Sequence, residues 1–80
     1  MDEELLQFIY KRCKTNTMFV SKATGIDYNR LYCISYYGYK ITNAELDLLY
    51  KYLKQKMGWS DYFISRKFHK IKRRNNGNIK

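Results

Sequence analysis

The sequence holds no proline, two alanines (Ala23 and Ala44), four glycines, two cysteines, one histidine and seven acidic side chains. A lone His69 without clustered carboxylates leaves acid–base, triad or metal chemistry short of parts. The chain is therefore expected not to be an enzyme and to need no cofactor. Cys13 and Cys33 are too few to staple a secreted miniprotein or to make a structural zinc site, and are expected as reduced thiols. The longest uncharged run, Leu31 to Tyr39, is nine residues, where a membrane span needs about 20. The opening Met1-Asp2-Glu3-Glu4 has the wrong charge for a signal or transit peptide. These absences point to a cytoplasmic protein without a membrane partner.

What is present is aromatic and basic. Eighty residues make one domain, and a domain so small must build its core from large side chains. Nine Tyr, four Phe and one Trp are available for that. The net charge of +9 is uneven. Residues 1–65 carry nine Lys or Arg against seven Asp or Glu, whereas residues 66–80 carry seven Lys or Arg and no acid. Such an end suits a polyanion, nucleic acid before a membrane surface.

Apolar spacing predicts five helices. Leu5, Leu6, Ile9 and Cys13 fall on one face of a first helix over 2–14, with acids in its first turn and bases in its last. Thr15-Asn16-Thr17 caps a second helix over 18–24, which Gly25 closes. Asp27 caps a third over 28–36, with Leu31 and Ile34 inward. Thr42-Asn43-Ala44-Glu45 fits a capping box that opens a fourth helix, running to Met57 with Leu46, Leu49, Tyr50 and Leu53 buried. Ser60 caps a fifth segment over 61–72, read as helix, although Tyr62, Ile64, Arg66 and Phe68 also alternate as in a strand. Residues 73–80 lack an apolar pattern and read as a basic, disordered tail.

A seven-residue helix, a glycine turn and a nine-residue helix recur where two helices pack steeply and one enters a DNA major groove. Val20, Ile26, Leu31 and Ile34 are the apolar positions of such a unit, and small Ser21 lets its helices approach. With Gly38-Tyr39-Lys40 before the capped fourth helix and Gly58-Trp59-Ser60 before the fifth, the chain resembles the lambda-repressor-like helix-turn-helix family of Cro and phage repressors (XRE-type) over residues 3–68. It departs from the family at Ser21 and Thr24, in lacking a proline before the fourth helix, in a longer third-to-fourth connection, and in a tyrosine-rich third helix.

The resemblance implies an all-α, compact five-helix bundle over 1–72. It also implies a transcription regulator, a repressor for instance, of phage or mobile-element type, that binds double-stranded DNA as a homodimer. Base contacts would come from Tyr28, Asn29, Tyr32 and Cys33. Phosphate contacts would come from Asn16, Thr17, Lys22, Arg30, Tyr36, Lys40, Arg66, Lys67 and Lys70, with Arg30 and Lys40 reaching phosphates or guanine. Asp27 lies beside the readers, but capping accounts for it. The fifth helix, with Trp59, Phe63, Phe68 and Ile71, is the candidate dimer surface. The five tyrosines at 28, 32, 36, 37 and 39 suit thymine methyls, stacked bases or a protein partner. A competing reading is therefore a small phage-type inhibitor of anti-CRISPR kind that grips a host protein; a third is non-specific RNA or single-strand binding.

Overall fold

A computed structural model describes residues 2–77. They form five helices, α1 (Asp2–Arg12), α2 (Thr17–Thr24), α3 (Tyr28–Tyr37), α4 (Asn43–Gln55) and α5 (Asp61–Gly77), and no strand is present among them. The alternation over 62–68 is thus resolved as helix. The chain divides into two compact units, Met1–Lys40 and Ile41–Lys80.

In the first unit α1 and α2 both pack on α3. Leu5, Leu6, Ile9, Val20, Ile26, Leu31 and Ile34 are buried as their spacing predicts. Tyr10 joins them, its hydroxyl 2.7 Å from Ser35 Oγ in a buried hydrogen bond. The first helix ends two residues before the predicted Lys14. Lys14 turns to φ 52°, and the Thr15 amide donates to the Tyr10 carbonyl at 2.8 Å. That bond closes the helix end and leaves Cys13 half-buried, outside the regular helix. Burial still raises the Cys13 pKa, against a smaller opposing pull from Arg12.

In the second unit α4 packs on α5. The Thr42–Glu45 capping box is formed, the Glu45 amide donating to Thr42 Oγ1 at 3.2 Å and the Thr42 amide to Glu45 Oε1 at 2.9 Å. Leu46, Leu49 and Leu53 are buried, with Tyr52 rather than the expected Tyr50 completing the stripe. Tyr50 is half-buried and spends its hydroxyl on Asp61. The α4 helix stops at Gln55 rather than Met57. Gly58 takes a left-handed φ of 72°, and the Trp59 amide reaches back to the Leu53 carbonyl at 3.0 Å.

The fifth helix runs five residues beyond the predicted end, so residues 73–77 are helical. Their side chains explain this. Asn75 Nδ2 donates to the Ile41 carbonyl at 3.0 Å and to Asn43 Oδ1 at 2.9 Å, and Asn43 Nδ2 donates to Asn76 Oδ1 at 3.1 Å. Polar anchors replace the apolar packing whose absence suggested a tail. The remainder of that expected tail, 78–80, lies outside the described residues.

Candidate nucleic-acid interface

The interface candidate begins with the turn between α2 and α3. Asn16 Oδ1 caps α2 by accepting from the Phe19 amide at 2.9 Å, and Gly25 ends it at φ 82°, the left-handed region open to glycine. Ser21 Oγ donates to the Ile26 carbonyl at 2.6 Å, tying the second helix across the turn to the residue that enters the third. Thr24 Oγ1 accepts from the Ile26 amide at 3.2 Å. Asp27 then caps α3, its Oδ2 accepting from the Arg30 amide at 3.3 Å. The polar residues of this turn therefore fix the entry of α3.

Leu31, Ile34 and Ser35 turn one side of α3 inward. At 100° per residue the opposite side carries Asn29, Cys33 and Tyr36, with Tyr28 and Tyr32 along its edge. Tyr28, Asn29, Tyr32 and Tyr36 are exposed there, and Cys33 is half-buried. The rings form a ladder centred on Tyr32: its centroid is 6.2 Å from Tyr28, 4.8 Å from Tyr36 and 5.9 Å from Tyr37. Such pairs gain about 0.5–1.5 kcal/mol each and restrict one another's rotamers. Gly38 closes α3 at φ 72°.

The proposed phosphate contacts are placed less uniformly. Asn16, Lys22, Tyr36 and Lys40 are exposed on the first unit. Thr17 is buried, which leaves little of it to meet a phosphate. Arg30 is half-buried, and its Nη2 donates to the Lys40 carbonyl, which draws the guanidinium back along its own unit.

On the second unit Arg66, Lys67 and Lys70 are exposed on α5. Ile64, Phe68 and Ile71 form its inward stripe. Opposite them Arg66, Lys70 and Arg73 follow one another at four- and three-residue steps, flanked by Lys67, His69 and Lys72. The helix is about 26 Å long at 1.5 Å per residue, and between Arg66 and Arg74 it carries six cations and no acid. Arg66 lies over the Tyr62 ring at 5.7 Å and Lys67 over the Phe63 ring at 5.5 Å, placements that steady both side chains. Phe68 and Ile71 are 1% exposed, which removes them from the candidate dimer surface and leaves Phe63 and Trp59, both half-buried. Those two stack edge to face with centroids 5.1 Å apart.

Met18 and Phe19 carry no role in the sequence reading, yet they are 57% and 58% exposed at the start of α2. The signal available was Val20: with that residue inward, Met18 lies about 160° around the helix and must point away.

Among the described residues no group of three His, Cys, Asp or Glu side chains is placed to hold a metal ion. No helix among them is long and apolar enough to cross a membrane. No protein-family model, curated protein or solved structure matches the chain, so the helix-turn-helix resemblance rests on the order and spacing of the residues named above.

Proposed function

We propose that the chain is a sequence-specific double-stranded DNA-binding protein of the lambda-repressor-like helix-turn-helix type, a small transcription regulator of phage or mobile-element kind. The observation that carries this reading is the exposed face of α3, with Tyr28, Asn29, Tyr32 and Tyr36 held on a helix whose entry is fixed by Asn16, Gly25 and Asp27. In this reading α3 enters the major groove, and Asn29 hydrogen-bonds a base edge. Lys22 and Lys40 flank it as phosphate contacts that set register without reading sequence. The basic face of α5 adds affinity by releasing counterions. A lone reader of this size covers few base pairs, so it works as a homodimer on half-sites about one helical turn apart. Selection of duplexes from a random library at about 150 mM salt tests this. One enriched motif is expected, and recovery of no preferred duplex would overturn the reading.

A second reading is supported by the exposure of Met18, Phe19 and Tyr37, large side chains of the kind enriched at protein interfaces. Under it the scaffold is a phage-type inhibitor that grips a host protein. Purification would then return one stoichiometric protein partner, held more weakly after substitution of Tyr32 or Tyr36; recovery of DNA alone contradicts it.

A further inference from the structure

We infer that α3 reads A·T base pairs, with Asn29 on adenine and the tyrosine ladder packed against thymine methyl groups. This rests on the DNA-binding reading above and specifies its target.

The face of α3 offers little to a G·C pair. Guanine is read in the major groove by a cation that donates twice to O6 and N7. The ten residues of α3 include one cation, Arg30, and its guanidinium is directed to the Lys40 carbonyl. The acid that could accept from cytosine, Asp27, is engaged with the Arg30 amide as the helix cap. Both groups of α3 and its cap that would recognise a G·C pair thus have structural duties, and Lys40, the other candidate for guanine, lies past Gly38 outside the helix.

What the face does offer suits the other pair. Asn29 is exposed in the first turn, and a carboxamide matches adenine, accepting from N6 and donating to N7. Thymine is distinguished in the same groove by a methyl group, which only apolar surface reads. Tyr28, Tyr32 and Tyr36 supply that surface in a row that runs from the edge of the exposed face onto it. Eight residues of helix advance about 12 Å, which matches three to four base pairs at about 3.4 Å each. Because the rings already touch one another, little rotamer freedom remains to be given up on binding.

The test uses the full chain and the duplex it selects. The enriched motif should have an A·T core of three to four pairs, and replacing its thymines by deoxyuridine should weaken binding about four-fold for each buried methyl removed. The protein is unaltered in that comparison, so folding does not enter. A motif with a G·C core, or equal affinity for the thymine and uracil duplexes, would overturn this inference while leaving DNA binding intact. Absence of any motif would overturn both.

Discussion

The Tyr10 hydroxyl donates to Ser35 Oγ at 2.7 Å, and Ser35 Oγ donates its own hydrogen to the Leu31 carbonyl at the same distance. The serine hydroxyl has one hydrogen, so its bond to Leu31 leaves the tyrosine as donor. This buried relay joins α1 to α3 on the side away from the exposed ladder.

Removing either end has unequal consequences. Tyr10→Phe leaves Ser35 bonded to Leu31 and should cost about 1 kcal/mol. Ser35→Ala strands the buried phenol and should cost about 1–3 kcal/mol. Urea unfolding should show both as lower midpoints at unchanged slope, and the double variant should lose less than the sum. Additive losses would refute the coupling.

Gly25 tests the α2–α3 turn. A methyl group there meets no atom within 4 Å, so space is not the constraint; its φ of 82° is. Gly25→Ala should cost about 1–2 kcal/mol from backbone conformation alone. Gly25→Asn should cost less, because asparagine tolerates left-handed backbone. Equal unfolding midpoints for all three proteins would contradict this.

These two sites mark what is legible in the sequence. Capping residues and left-handed glycines act within a few positions, and Gly25, Asp27 and the Thr42–Glu45 box all stand as their local pattern predicts. Tyr10 is different: its hydroxyl can be buried only because a partner lies 25 residues away. The length of α5 was hidden for the same reason, since Asn75 anchors to Ile41 and Asn43, more than 30 positions earlier. On the candidate interface, the exposure of Asn29 follows from helix period. The withdrawal of Arg30 toward Lys40 depends on where the chain travels after Gly38.

Asp61 gives the second unit a pH dependence. Lys54 Nζ lies 2.9 Å from its carboxylate, and that bond, with the one from the Tyr50 hydroxyl, holds its pKa below the ordinary aspartate value. The same interactions raise the pKa of Tyr50 and of Lys54. A lowered folded pKa means stability that is present above the unfolded value of about 3.9 and is lost as pH falls through the folded one. Asp61→Asn should therefore be less stable than wild type at neutral pH, with the gap shrinking as the solution is acidified below about pH 4. The pair is exposed, so the gap should also narrow in salt. A constant gap across the acid range would rule this out.

The basic face of α5 should act on affinity and not on sequence choice. Changing Arg66, Lys67 and Lys70 together to Gln should reduce the slope of log K against log salt by about 0.9 for each phosphate no longer neutralised. The rank order of duplexes should stay the same. A reordered preference would place base reading on α5.

The central claim is that specificity resides on α3, and Asn29→Ala tests it most directly. Asn29 is exposed, so its replacement should leave the fold unchanged. The measurement is the ratio of affinity for the selected duplex to that for a scrambled duplex of equal length. The ratio should fall by about 5- to 150-fold, as expected when one bidentate base pairing is removed, while affinity for the scrambled duplex holds. An unchanged ratio would contradict the claim.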